Sequence, residues 1–592
     1  MKIRLSVPRL RPALFALALL PAMIACAGEE QGHGAARAET VPGNAPDAQP
    51  QEWSLSGAIL AGRHAFETGD DAMAAKLYGM ILKETDGDPV TASRALAAMV
   101  GSGDFASAVE LAAKLKQSGA RTPLVPLVEL ADAAQRGDFK AARAALSAFG
   151  SDNISRVAKP MFGAWVALGE GKDEAAVLAE LDALDAVNGL GGIAVMHRAL
   201  ILDHFGKGAE ALPTLRQAAE SGYGSARFIE LYVDILHRQG DAAPARDYLT
   251  RLSADESGIA AAISDPLLER IAQPAPKGPV VEDARRGLAV AMFDLGSLLS
   301  SENVNEQAKI LARLSLELKD DLDIARLLLG NLMQEGERWQ DAIAMYRSIP
   351  AGSIYRWSAE ISVADCQQKL KDTDGAIATL EGLVAARPNR MEAIVELGDL
   401  YRRDQRFTEA IATYDRVIAG IKEPATRDWT LFYARGVAHE RAKQWEKAEP
   451  DFLKALDLSP DQPYVLNYLA YSWVERRERL DEALDMLHRA VDQRPEEGFI
   501  VDSLGWAYYQ LGDFEQAVTY LERAVELQPT DPVLNDHLGD AYWRVGRKNE
   551  ARFQWHRALS FEPEADLVKP IEDKLENGLG AAETPAAPAT GN

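Results

Sequence analysis

Two histidines seven residues apart, His197 and His204, could share one side of a helix and offer two nitrogens to a metal. No third ligand accompanies them, so they read as packing or surface histidines. Gly189-Leu190-Gly191-Gly192 is glycine-rich enough to touch a phosphate, but it follows a helical pattern where such a cradle needs a strand before it. The two cysteines, Cys26 and Cys366, rule out a disulfide framework and a Cys-rich metal site. Cys366 falls inside a helical stretch and reads as a small buried apolar residue. HExxH, P-loop, GxSxG and paired CxxC patterns are all missing. Among 89 Asp and Glu residues no pair singles itself out as acid and base. The expectation is a protein that is not an enzyme and takes no cofactor or metal. A net charge of −25 also excludes a binder of nucleic-acid backbones, which needs a basic footprint.

The elements that would position any site are helices. The 592 residues are rich in Ala and only 7% aromatic, which favours close-packed helices over sheets. Small residues recur at Ala308, Ala342, Ala376, Ala410, Ala448, Ala483, Ala517 and Ala551, mostly 34 residues apart. Ala74, Ala108, Ala142 and Ala176 keep the same interval, and Ala211 and Ala245 continue it after one extra residue. The last two units read Leu504-Gly505, Tyr508, Ala517, Ala524, Pro529 and Leu538-Gly539, Tyr542, Ala551, Ala558, Pro563. Glycine lets two helices approach, Tyr508 and Tyr542 are expected to fill the space between them, and proline closes the second helix. Gly512-Asp513-Phe514 breaks the hairpin, as do Gly69-Asp70, Gly103-Asp104-Phe105 and Gly137-Asp138-Phe139. This pattern is identified as the tetratricopeptide repeat (TPR). The resemblance implies an all-α fold, a TPR superhelix or α-solenoid.

The array is expected to form two blocks. A degenerate N-terminal block covers 54–262, and a Pro-rich linker or hinge at 263–282 holds Gln273-Pro274-Ala275-Pro276-Lys277-Gly278-Pro279. The C-terminal block covers 283–563. A capping helix within 564–579, starting at Pro570, and a disordered tail at 580–592 follow.

The N-terminus, 1–26, has the parts of an export signal: Lys2, Arg4, Arg9 and Arg11, then the apolar run Ala13 to Ile24. Met23-Ile24-Ala25-Cys26 resembles a bacterial lipobox, with Met23 where Leu is usual. That resemblance implies acylation of Cys26, and each buried methylene would add ~0.8 kcal/mol of membrane affinity. Cleavage after Ala27 is the other reading. Ala27 in place of Asp after the cysteine favours, by the same resemblance, an outer-membrane lipoprotein. Residues 27–53 read as a disordered tether, with the body periplasmic and membrane contact only through the lipid.

With Gly505 and Gly539 counted as position 8, the family geometry turns positions 2, 5, 9, 12 and 13 of the first helix toward the concave side. That places Tyr464, Asn467 and Tyr471, then Phe499, Asp502, Trp506 and Tyr509, then Asp536, Asp540 and Trp543 in a groove. Over half of the chain's 10 Trp, 16 Tyr and 16 Phe lie within 391–563, under a third of its length. Aromatics beside a few polar groups mark a recognition surface. Glu392 and Glu396 stand where the family's carboxylate clamp would need cations, so that mode is excluded.

Leu466-Asn467-Tyr468-Leu469-Ala470-Tyr471-Ser472, Arg479-Leu480-Asp481-Glu482-Ala483-Leu484 and Asp502-Ser503-Leu504-Gly505-Trp506 resemble TPR lipoproteins of Gram-negative envelopes. Some of these are adaptors that bring cell-wall hydrolases to a carboxyl-terminal processing protease. The resemblance implies a non-catalytic scaffold with protein or peptide partners. A peptidoglycan- or polysaccharide-associated module is the alternative, with the same rings stacked on sugars beside Asp502 and Asp536.

Overall fold

The computed structural model describes residues 53–580, apart from 86–87, 120–121, 186, 188, 241, 255–257 and 389. The export signal, Cys26, most of the tether and the tail from 581 lie outside the described residues. Among the described residues there are thirty α-helices and no strand, most of them paired into hairpins. No described helix is long and apolar enough to cross a membrane.

The hairpin turn follows from two adjacent residues. Gly69, Gly103, Gly137 and Gly512 adopt φ of 76°, 85°, 76° and 85°, in the left-handed region that glycine enters without a Cβ clash. The Asp after each one caps the second helix, accepting the N–H of Met73, Ser107, Ala141 and Gln516. Other turns lack the glycine. There Asn303, Glu337, Lys371, Gln405, Lys443 and Arg477 hold φ between 56° and 61°, each at a cost of about 1 kcal/mol. Lys443 is exposed. Lys443→Gly is therefore expected to stabilise its unit by about 0.5–1 kcal/mol, read as a higher urea midpoint.

The periodic alanines mark where the second helix crosses the first. Ala308, Ala342, Ala376, Ala410, Ala448, Ala483, Ala517 and Ala551 are all at 0% exposure, as are Ala74, Ala108 and Ala142. Ala176 is an exception: it is exposed, and Val177 takes the buried place. The extra residue thus falls before position 177, after the long helix Asn153–Gly169.

The ring that fills the hairpin is not the one expected. A Cβ on Gly330, Gly398, Gly436 or Gly539 would come within 2.4, 2.8, 2.8 or 2.5 Å of Tyr346, Tyr414, Phe452 or Trp555. Each of these rings lies sixteen residues beyond its glycine. Tyr508 is half-buried instead, stacked on Tyr520 at 5.5 Å and bonded to His488 Nε2 at 2.9 Å. Tyr542 is buried, and its hydroxyl donates to Glu522 at 2.7 Å.

The chain forms two compact units, and the division falls after Pro388, not in the Pro-rich segment. Helix Gly258–Ile271 runs through much of the expected linker. What remains is fastened down. Arg238 donates to the Gly278 carbonyl at 2.8 Å, the Val280 N–H donates to Asp203 at 2.8 Å, and His204 Nδ1 contacts the Val281 carbonyl at 3.1 Å. Prolines end the helix here, and the backbone at Gly278, Val280 and Val281 is bonded to the preceding helices.

In the unit ending at Pro388, helix Ala284–Ser301 is buried along most of its length, from Gly287 to Gly296 without a break. Gly287 sits against Trp165, so closely that a Cβ would come within 1.9 Å. The Trp165 indole donates to His197 Nδ1 at 3.2 Å, and His197 Nε2 faces Asp294 at 3.3 Å. The next helix, Asn305–Leu318, brings Lys309 to Asp71 at 3.0 Å, and Arg338 reaches the Gly69 carbonyl. The unit's first hairpin is thus held by residues more than two hundred positions later.

The second unit, described from 390 on, stacks five hairpins from Met391–Arg403 to Lys548–Ser560 and ends in helix Ala565–Asn577. That last helix starts five residues before the expected Pro570, which lies inside it. The extended Glu564 at its N-cap sets the start.

Candidate functional site

The residues expected to line a groove lie on the first helices of three successive hairpins of the second unit: Pro463–Arg476, Gly498–Leu511 and Pro532–Arg544. The repeat brings the sequence-predicted residues into contact across neighbouring hairpins. Tyr464 and Phe499, both half-buried, stack at 6.4 Å and 15°, with Arg494 5.8 Å from the Tyr464 ring. Asp502, Trp506 and Tyr509 meet residues that the sequence reading left out. His537 Nδ1 donates to Asp502 at 2.9 Å. Trp506 stacks on His537 at 4.0 Å and on Tyr509 at 4.7 Å, and its indole donates to Glu475 at 2.5 Å. Arg544 Nε donates to the Tyr509 hydroxyl at 3.1 Å.

The electrostatics are settled inside the chain. Burial alone would lower His537, but Asp502 outweighs it, aided by Asp536 and Asp540, and the imidazole is raised above its ordinary value. Asp536 and Asp540 converge on one cation: Lys574 Nζ lies 2.8 Å from Asp536 and 2.9 Å from Asp540. Trp555 Nε1 also donates to Asp540 at 2.9 Å. Burial and the neighbouring Asp536 charge nonetheless push the Asp540 carboxyl up to about 6, against the pull of Lys574. The Tyr471 hydroxyl is pushed well above its usual range by burial, then by Glu475 and Asp502.

The groove expected to be open to a guest is therefore largely occupied by its own neighbours. Asn467 is at 0% exposure and lies beneath the surface. Asp502, Asp536 and Asp540 are at 4%, 8% and 5%, engaged by His537 and Lys574. A sugar beside Asp502 and Asp536 would have to displace those partners. Trp543 is half-buried against Trp555 at 5.4 Å, and its indole donates to the Leu579 carbonyl at 3.2 Å. Trp506, Tyr509, Tyr464, Phe499 and Tyr471 keep partly open faces.

Some of the missed residues share a signal. Arg441, Glu475 and Arg544 all stand at position 13, which the family geometry also turns inward. Arg441 is partly exposed; burial opposes its charge, but Tyr468 and Glu440 raise it, and Glu564, four repeats on, adds to this.

The residues with candidate chemistry in the sequence are structural. Cys366 is fully buried and its thiol is pushed up to about 11, mainly by burial. His197 and His204 have separate partners, and Gly192 packs under Tyr223. Asn331, which matches one element of the family's carboxylate clamp, accepts the Tyr346 hydroxyl at 2.7 Å. Among the described residues no group of His, Cys, Asp and Glu is arranged to hold a metal. The unit ending at Pro388 carries a separate groove of about 1120 Å³, walled by Leu124, Leu127, Phe149, Ile154 and Ile310.

Comparison with known proteins gives the same repeat. A family model described as TPR repeat matches residues 505–546, and one described as tetratricopeptide repeat matches 367–425. A TPR repeat-containing protein of Pseudomonas aeruginosa is 25% identical over 33% of this chain and 32% of its own. A peroxisomal targeting signal receptor of Yarrowia lipolytica is 25% identical over 29% of this chain and 30% of its own. The chain thus spans about a third of the length of these curated relatives. Among solved structures, the Cut9–Hcn1 hetero-tetramer of the APC/C covers 89% of this chain and 96% of its own, at 14% identity and TM-score 0.36. Yeast Tom70 covers 88% and 95%, at 13% identity and TM-score 0.33. The glycine–ring hairpins, the 34-residue period and the two repeat models show that this chain carries tetratricopeptide repeats.

Proposed function

We propose that the chain is a non-catalytic, lipid-anchored scaffold of a bacterial envelope that binds protein partners through the concave face of its second unit. One observation carries this reading: Tyr464, Phe499, Tyr471, Trp506 and Tyr509 form a row of partly open rings flanked by Arg441, Glu475 and Arg544. Tyr464 is stacked on Phe499 and Trp506 on Tyr509 before any partner arrives, so little entropy of those side chains is lost on binding. The anchor rests on Cys26 at the end of the apolar run, and the adaptor role on the resemblance around Asn467 and Trp506. A carboxyl-terminal processing protease and cell-wall hydrolases are the partners that resemblance suggests.

The test is capture of envelope proteins on the intact chain, against Trp506→Ala with Tyr509→Ala. Loss of about tenfold or more in recovery is expected, the effect of removing paired aromatic anchors. Undiminished recovery from a variant with an unchanged melting curve would remove the groove from the function. In cells supplied with labelled palmitate, Cys26→Ser should abolish incorporation; retained label would place the acyl group elsewhere.

A further inference from the structure

Helix Ala565–Asn577 ends the array, yet it is weakly built into it. Ile571 is its one fully buried residue. Leu567 and Leu575, with Leu579 beyond the helix, pack half-buried against the core, and polar contacts add Lys574 between Asp536 and Asp540 and a short non-helical stretch beyond. There Trp543 Nε1 donates to the Leu579 carbonyl at 3.2 Å, and Arg544 Nη1 donates to the Gly580 carbonyl at 2.6 Å. Gly578, at φ 69°, lies flat against the Trp543 ring, where a Cβ would come within 2.0 Å. Two buried carboxylates, an indole N–H and a guanidinium thus read a lysine and the backbone carbonyls that follow it. In the following stretch Leu579 is the side chain that packs on the core, and the other contacts are made by backbone. That is the chemistry by which a groove takes a peptide.

We infer that Asp536, Asp540, Trp543 and Arg544 form a lysine-selective peptide subsite for a protein partner, held in the free protein by the chain's own residues 571–580. This rests on the groove reading above and specifies its ligand. A partner segment presenting lysine near the end of a helix, with a glycine four residues on and non-helical backbone after it, would exchange with that segment. Charge complementarity selects lysine: the site brings two carboxylates together, and one ammonium already satisfies both. A segment with few buried contacts opens at low free-energy cost. The apparent affinity for an outside peptide falls in proportion to the fraction of time the segment is closed.

The experiment uses the full chain and a fluorescent synthetic peptide of residues 564–580, read by anisotropy. Wild type should bind it weakly. Lys574→Gln in the protein should bind it about tenfold tighter, because the internal competitor is weakened. The gain should vanish when the lysine of the peptide is replaced by glutamine. Trp543→Phe keeps the ring and leaves no carboxylate unpaired, so it guards against misfolding; it should speed hydrogen exchange at 565–580 while helix Pro532–Arg544 stays protected. Equal binding by wild type and Lys574→Gln, equal binding of the lysine-free peptide, or exchange at 565–580 as slow as at 532–544 would each overturn the inference. Partner capture that depends on Trp506 and Tyr509 while the peptide fails to bind would leave the groove reading standing and remove this subsite alone.

Discussion

Lys309→Ala is expected to destabilise the N-terminal unit by about 3–5 kcal/mol, the range for leaving a buried charge without its partner. Lys309 and Asp71 are at 8% and 3% exposure, 3.0 Å apart, and Gly101 presses on the Asp71 carboxyl so closely that a Cβ there would lie 2.6 Å away. Burial already pushes Asp71 up, with Lys309 opposing it. Without the lysine the carboxylate must take up a proton or draw in water, and either loosens the hairpin Leu55–Glu67 and Asp71–Glu84. Lys309→Met with Asp71→Asn should recover most of the loss, since no charge is stranded. Urea unfolding gives the size, and hydrogen exchange at 55–84 gives the place. A single-variant loss under about 1 kcal/mol would show that the pair is well hydrated.

Trp555→Ala should cost the C-terminal unit a similar amount, about 3–5 kcal/mol. The ring is at 0% exposure, fills the space over Gly539, packs on Trp543 and donates to Asp540. Its removal leaves a cavity and takes one donor from a buried carboxylate. Trp555→Phe keeps most of the volume and should cost distinctly less. If the two variants unfold at the same urea concentration, the hydrogen bond outweighs the packing and the cavity argument fails.

The repeat was legible because it rests on residues favoured for size or backbone: a larger side chain at the crossing, a left-handed turn without glycine and a helix continued through proline each carry a cost. The alanines at the helix crossing, the Gly-Asp turns and the closing prolines are all of this kind. The side chain sixteen residues after each glycine varies among Tyr, Phe, Leu and Trp, so no single letter marked it. Ala176 was misplaced for a related reason: Val177 serves as well in the crossing when the second helix is short, and Glu174–Ala179 is only one turn and a half. The concave face was legible as a set of positions but not as a set of free surfaces. Nothing in the local spacing announces that His537 will reach Asp502, or that Lys574 will reach Asp536 and Asp540. Those contacts join neighbouring repeats, where curvature decides which side chains meet. The Pro-rich segment misled for the opposite reason: its composition forbids helix, but its carbonyls and N–H groups found partners far along the chain.

The burial of helix Ala284–Ser301 inside the first unit bears on how the protein comes into being. Most repeat arrays can fold from one end, each hairpin resting on the last. Here the earliest hairpins meet their closing partners only after some three hundred residues have left the ribosome, and the chain ends of those contacts must find each other across that length. Until then the inner wall around Trp165 has nothing to cover it. Folding of this half is thus tied to completion of the sequence through Lys309, a closure between distant parts of the chain.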